Sequence, residues 1–403
     1  MKVAKKKLML LGGLRYLLPV IETAHKLNIY VITVDYLPEN IAHQYSDEYY
    51  NVSILDKEAI LHLAQELQID GIMSFAVDPG VVTASYVAEK MNLPFQGSYE
   101  SVSILQDKSR FREFLRNNGF NVPKAKGYNN LTAALEEAEN WEYPVIVKPV
   151  DSAGSKGVSR VDRIEDLKYA IESALQESHN GYFIIEEFIE KMGCSSDSDS
   201  FTVKGELKVC TFSDQYFNYK AENPYTPSAY VWPSSMANIY QDDLKGQLQR
   251  LMTLLKMNTG IYNIETRVGI DGKAYIMEVS PRGGGNRIAE IIDITTQSHL
   301  IENSVRNAVG LPLIECIEPE FKDYIIEVVI HSEKDGIFDS LEISKEVQPF
   351  VVHVDLWVSP GDPVNVFKGA NNSLGTIVLK INKHLKVKDV ITDFTAWWKV
   401  NVK

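Results

Sequence analysis

Short apolar runs alternate with amphipathic stretches through the first hundred residues. Lys7 to Leu11 reads as a strand, Gly12-Gly13 as a turn and Pro19 to Leu27 as a helix. The strand Ile29 to Val34 follows and ends at Asp35, and Gly71 to Phe75 is a further strand before a helix over Val81 to Met91. Strand, helix and strand in that order predict a parallel sheet. Past Gly310-Leu-Pro312 the pattern becomes short alternating runs over 324–331, 351–358 and 375–381, broken by Asp335-Gly336, Pro360-Gly361 and Asn371-Asn372. That predicts a small β-rich terminal domain, closed by a helix near Val387 to Trp398. The fold class expected is α/β and α+β multidomain, with boundaries near residues 104 and 311.

The hairpin signal is strongest at Asp271-Gly272, between alternating runs. A two-residue type I′ loop there needs positive φ at both central residues, which Asp-Gly supplies. Counting outward from Ile270 opposite Lys273 puts Glu265 opposite Glu278 and Asn263 opposite Ser280. Directly opposed side chains sit roughly 5 Å apart, and like charges there destabilise the sheet. A divalent cation held by oxygen ligands is one compensation, and solvation of an exposed strand face is the other.

Composition narrows the picture. The 403 residues are 45% apolar, enough for two or three cores, and 41 basic against 54 acidic residues give a net charge of -13. That balance argues against a general nucleic-acid or anionic-membrane surface. Cys194, Cys210 and Cys316 are odd in number and widely spaced, so they form neither a disulfide framework nor a metal-ligand pattern. A cytoplasmic location is expected: Arg15 cuts the apolar run after Lys5 to Lys7 too early for a signal peptide, and no run approaches about 18 apolar residues.

Several segments carry candidate chemistry. Lys148 ends the strand Tyr143 to Pro149, and Asp151 to Val158 follows with Ser152, Gly154, Ser155, Lys156 and Gly157. Small residues let backbone N–H groups converge on a phosphate and a lysine adds charge, although a plain hairpin turn has the same composition and the Walker A spacing is absent. Lys108 opens a helix running to Asn117, as an anion ligand or a surface lysine. In Phe183 to Ile189, an apolar strand interrupted by two acids, a carboxylate can accept from an exocyclic amine while the neighbouring backbone meets a purine edge; an exposed strand face reads the same way. Gly283-Gly-Gly-Asn-Arg287 follows Arg282 and offers N–H groups and a second guanidinium to a carboxylate or phosphate, or simply opens the helix Ile288 to Ile292. Gly12-Gly13 lacks the G-x-G-x-x-G pattern, leaving Gly12, Gly13, Asp35 and Asp78 as candidates for one wall of a cleft. The aromatic stretch 214–230 reads equally as a substrate-facing loop or a structural crossover.

From about residue 105 to 300 the chain resembles the ATP-grasp superfamily. The resemblance runs through Asp107-Lys108, Val145 to Pro149 with its glycine-rich loop, Glu186 to Ile189, Glu265, and Glu278-Val-Ser-Pro-Arg282, in the family's order. It implies a pre-ATP-grasp domain over 1–104, an ATP-grasp domain over 105–311 with a lid at about 120–190, and the β-rich domain over 312–403. By the same resemblance, Lys108 and Lys148 would meet nucleotide phosphates, and residues 152–157 would close on them. Glu186 with the backbone of 187–189 would hold adenine, and Glu265 and Glu278 would hold Mg2+ or Mn2+. Ser280 stands where the family has asparagine and would reach the metal through water; Ser195 stands where many relatives have a glutamate. Arg282 and Lys148 would be catalytic, and Arg282, Gly284, Asn286 and Arg287 would face substrate. The implied activity is that of an ATP-dependent ligase, joining a small-molecule carboxylate, activated as an acyl phosphate, to an amine or other nucleophile. A bicarbonate-using carboxylase or carbamoyl-phosphate-type enzyme and a non-catalytic ATP-binding module are the alternatives. Neither nucleic acid nor membrane is an expected partner, and a homodimer is one option for assembly.

Overall fold

The computed structural model describes residues 5–152, 156–221, 223–382 and 396–403. Its N-terminal sheet is parallel, in the order Glu48–Tyr50, Tyr30–Val34, Lys7–Leu11, Gly71–Ser74. The strand Lys7–Leu11 reads as an unbroken apolar run because both its faces are covered. Leu8 and Leu10 enter one core beside the helix Leu18–Lys26, whereas Met9 and Leu11 enter another with Ile60 and Val87. The helix Asp78–Met91 starts just past the carboxyl end of the strand Gly71–Ser74, which brings Asp78 to that rim of the sheet.

Two antiparallel sheets follow. One has the order Ala125–Tyr128, Phe183–Glu187, Val145–Pro149, Ser159–Val161 and its own core around Val147, Phe183 and Ile171. The other runs Glu206–Cys210, Ser196–Val203, Gly260–Val268, Ala274–Ser280, backed by the helix Asn238–Leu254 through Leu244, Leu248 and Leu251. Alternation in these strands separates an apolar face, including Ile264 and Val279, from a polar face carrying Asn263 and Glu265.

The last large sheet has five strands, ordered Asp214–Phe217, Pro227–Trp232, Tyr324–His331, Ser373–Ile381, Val351–Leu356. The 214–230 stretch therefore supplies a pair of strands to a sheet completed by chain beyond residue 312. A three-stranded sheet, Pro363–Val364, Gly336–Ile343, Trp398–Val402, packs beside it. The helix expected to end at Trp398 is corrected there: Trp398 opens a strand that pairs antiparallel with Gly336–Ile343. Trp398-Lys-Val-Asn-Val402 has a period of two, and both Trp397 and Trp398 are buried in that core. The rest of that expected helix, up to residue 395, lies outside the described residues.

Candidate functional site

Glu265 and Glu278 do face each other across the hairpin, but not by the expected route. The loop has three residues rather than two: the Gly269 N–H donates to the Lys273 carbonyl at 2.9 Å, and Gly272 alone takes the left-handed conformation, at φ +76°. This is the three-residue loop in which glycine fills the left-handed position. Thr266 is consequently opposite Ile276. A bulge at Met277 then shifts the register by one residue and returns Glu265 to a place opposite Glu278. Arg112 fixes that bulge by donating from Nη1 to the Met277 carbonyl at 2.8 Å.

The strand on the other side adds acids that the sequence reading missed. Asp197 is opposite Glu265 and Asp199 opposite Asn263, so Asp197, Glu265 and Glu278 form a row across three strands. The signal was the period-two spacing in Ser196-Asp-Ser-Asp-Ser200, which places both aspartates on one strand face. Burial pushes Asp197 up to about 8, with Glu265 adding to the effect, and pushes Asp199 up to about 7. Glu265 is raised by burial and by Glu278, against the pull of Arg267, Lys148 and Arg112. Asn263 Nδ2 donates to both aspartates, at 2.7 and 3.0 Å.

Cations crowd the same place. The Glu186 carboxylate accepts from Lys148 Nζ and from Arg112 Nε, the latter at 3.0 Å, with Glu186 and Arg112 both fully buried. Burial opposes the charge on Glu186, but Arg112 and Lys148 outweigh it and hold the carboxyl at about 2. Lys148 is lowered by burial and by the neighbouring Arg112 and Lys108, with Glu186 pulling the other way. Lys108 starts the helix Lys108–Asn117 behind an Asp107 cap; its Nζ lies 3.0 Å from the Ser152 carbonyl and 3.9 Å from Glu278.

The Glu186 carboxylate is thus engaged by two cations. The amides of Glu187 and Phe188 donate to the Lys124 and Pro144 carbonyls at 2.8 and 3.3 Å, and the Ile189 carbonyl accepts from Arg267 at 3.1 Å. Of the glycine-rich loop, Gly154 and Ser155 lie outside the described residues, Lys156 is exposed, and Gly157 is left-handed at φ +66°.

Arg282 makes a bidentate pair with Asp78: Nε to Oδ1 at 2.9 Å and Nη2 to Oδ2 at 2.6 Å. Burial works against the Asp78 charge, and Arg282 overcomes it to keep the carboxyl below its usual range. Ser280 Oγ donates to the same carboxylate at 2.8 Å and accepts from Gln106 at 3.2 Å, so its hydroxyl is committed away from the glutamates. Of the proposed cleft wall, Asp78 joins the site, whereas Asp35 is occupied by Asn40 at 2.8 Å.

The turn after Arg282 is tightly fitted. A Cβ on Gly283 would stand 2.3 Å from the Phe75 ring, and one on Gly284 would stand 2.8 Å from Asn263. The Gly284 N–H donates to both Asp199 oxygens at 3.0 Å. Asn286 and Arg287 are left-handed, at φ +48° and +61°. Asn286 bridges the Tyr16 and Tyr230 hydroxyls, whereas Arg287 turns toward Glu290 and Asp355. Beyond Gly284 a cavity of about 240 Å3 opens between the N-terminal helix region and the five-stranded sheet.

Among the described residues no group of three or more His, Cys, Asp or Glu is arranged to hold a metal ion. Mg2+ asks for less, since it is held by one or two carboxylates together with substrate phosphates and water. Hard oxygen donors from opposed Glu265 and Glu278, both half-buried, fit that demand. Among the described residues, also, no helix is long and apolar enough to cross a membrane.

The carboxylate row, the half-buried Lys148 and the Arg282–Asp78 pair together form one continuous polar floor. Residues 141–290 match the ATP-grasp domain family. Among curated relatives, the carbamoyl phosphate synthase large chain of Clostridium botulinum is 24% identical over 393 residues, covering 91% of this chain and 35% of its own. The chain therefore spans about a third of that relative's length. Among solved structures, L-amino acid ligase from Bacillus licheniformis superposes with a TM-score of 0.82 at 19% identity, with 100% of both chains covered. The biotin carboxylase domain of Hydrogenobacter thermophilus 2-oxoglutarate carboxylase, solved with MgADP and bicarbonate, gives 0.74 at 16% identity, covering 99% of this chain and 91% of that one. The likeness in fold to these structures extends over the whole chain, beyond the matched segment.

Proposed function

We propose that the chain is an ATP-dependent ligase that activates a carboxylate as an acyl phosphate and transfers the acyl group to an amine. The observation that carries this reading is the acid row opened by Glu265 opposite Glu278, flanked by Lys108, Lys148 and the Arg282–Asp78 pair. Phosphoryl transfer needs alignment and charge neutralisation more than covalent help from the protein. Mg2+ held by Glu265 and Glu278 would neutralise charge on the ATP phosphates. Lys148 and Lys108 would hold the triphosphate from the opposite side, and the 152–157 loop would exclude water that could hydrolyse the intermediate.

In the first step a substrate carboxylate oxygen attacks the γ-phosphorus, the new O–P bond forms, and ADP leaves with the bridging oxygen. In the second an amine attacks the acyl carbon and inorganic phosphate departs with the carboxylate oxygen, as the amine loses a proton to solvent or to the departing phosphate. Arg282, oriented by Asp78, would stabilise the transferred group. A homodimer and a cytoplasmic setting complete the proposal.

Oxygen labelling tests it: with an 18O-carboxylate substrate, ATP and Mg2+, the reading expects one labelled oxygen in the released phosphate and an amide product by mass spectrometry. Unlabelled phosphate would refute the acyl phosphate. A bicarbonate-using carboxylase is a second reading, favoured by the neighbour solved with bicarbonate; ADP release with bicarbonate as the sole acid would select it.

A further inference from the structure

The five-stranded sheet ends on the strand Val351–Leu356, and among the described residues no strand pairs with its outer edge. A free edge offers unpaired amides and carbonyls to any second strand, so proteins shorten such edges, place lysine or proline on them, or cover them. Other edges of this fold follow that rule. Glu48–Tyr50 and Ser159–Val161 have three residues each, and Ala125–Tyr128, Glu206–Cys210 and Trp398–Val402 carry the exposed Lys126, Lys208 and Lys399. Val351–Leu356 has six residues with neither lysine nor proline, and it leaves Val352 58% and Val354 38% exposed.

The backbone shows which residues face outward. The Trp357 amide donates to the Leu374 carbonyl at 2.8 Å, and the Asp355 carbonyl lies so close to Gly375 that a Cβ there would stand 2.2 Å from it. Asp355 and Trp357 thus spend their backbone groups inside the sheet. Those groups alternate in direction along a strand, so Val354 and Leu356 turn their amides and carbonyls to the free edge. The register is irregular only between Val351 and His353, which leaves 353–356 regular. Side chains alternate as well: Val354 is opposite Ile377 of the terminal core, whereas His353 is opposite Val378 on the other sheet face, which Asp355 shares.

A second copy of the same strand fits this edge. In an antiparallel pair with a two-fold axis at Val354, the two Val354 residues exchange both their N–H···O bonds, because those groups already point outward. His353 then lies opposite the partner's Asp355, and Val352 lies opposite the partner's Leu356. Both opposed pairs are favourable, imidazole with carboxylate and aliphatic with aliphatic. Moving the axis to His353 or to Asp355 would set like polar side chains against each other, which disfavours those registers. We propose that Val351–Leu356 is the surface through which two copies of this chain join edge to edge, making their five-stranded sheets continuous across the axis. The inference gives the homodimer proposed above its contact, and it stands apart from the ligase chemistry, which MgATP-dependent ADP formation reports separately.

Sedimentation velocity of the full chain, from about 1 to 100 µM, tests it. The wild type should reach twice the 45.5 kDa mass of the chain. Val354→Pro removes an outward amide without touching the ladder to Ser373–Ile381, and it should sediment as a monomer. His353→Asp sets carboxylates against each other at the contact and should weaken association about tenfold. Adding Asp355→His to it restores the complementary pairs and should recover most of that loss. His353 is exposed, so its variants keep the result readable if Val354→Pro fails to fold. A wild type that stays monomeric throughout, a dimer that His353→Asp does not weaken, or a double variant that recovers nothing would each overturn the proposal.

Discussion

Arg282 and Asp78 form a largely buried two-point ion pair, joining the end of the Glu265–Glu278 hairpin to the first turn of a helix from the N-terminal unit. The helix N-terminus favours the Asp78 carboxylate, and Asp78 fixes the plane of the guanidinium. Removing one partner of such a pair strands the other charge. Asp78→Ala is expected to destabilise the fold by about 3 kcal/mol, read as a lower urea midpoint. Arg282→Lys should keep most of that stability yet lower kcat by about a hundredfold, since a lysine cannot reproduce the fork. Unchanged kcat in Arg282→Lys would remove Arg282 from the chemistry.

The acid row predicts opposite signs for folding and function. Glu278→Gln relieves repulsion against Glu265, so the metal-free protein should gain about 0.2–1 kcal/mol. The same variant should lose Mg2+-dependent ADP formation. Chelation of Mg2+ should reproduce the loss in the wild type, and a destabilised, active variant would contradict both halves.

Arg112 ties two motifs together, through Glu186 and the Met277 carbonyl. Arg112→Met leaves Glu186 with Lys148 alone and frees the bulge, and about 3–5 kcal/mol of stability should be lost. Denaturant unfolding measures this. A double variant with Glu186→Gln should recover part of the loss, because the stranded charge is gone.

His331 provides a pH signature away from the site. Its ring stacks on Phe367, meets Trp398 edge-on, and exchanges hydrogen bonds with Asn218 and the Val329 carbonyl; burial depresses it to about 4. The folded state thus binds its proton less readily than the unfolded chain, whose histidine titrates near 6.5. The stabilising contribution is present above about pH 6.5 and is lost as pH falls toward 4, by about 3 kcal/mol in total. Unfolding midpoints of the wild type should fall over that window more steeply than those of His331→Gln.

Much of this was legible because order and periodicity survive in sequence. The parallel N-terminal unit follows from apolar runs buried on both faces, and the glutamate pair from its hairpin. The pair, however, emerges from two departures that cancel: a loop one residue longer than expected and a bulge at Met277. Turn chemistry at Asp271-Gly272 cannot reveal a bulge held by Arg112, far away in the chain. Arg112 itself looks like a helix-surface charge, and only the fold buries it against Glu186. Asp197 and Asp199 were readable as a period-two strand, but their closeness to Glu265 depends on strand pairing. Trp398 lies in a strand, and its own alternation reads as one, against the helix expected to end there.

Electron paramagnetic resonance of Mn2+ in the presence of ATP bears most directly on the opposed glutamates. The wild type should give a protein-bound Mn2+–ATP signal, and Glu265→Gln combined with Glu278→Gln should return the spectrum of Mn2+–ATP free in solution. An unchanged bound signal in the double variant would contradict the assignment of the metal and nucleotide to this hairpin.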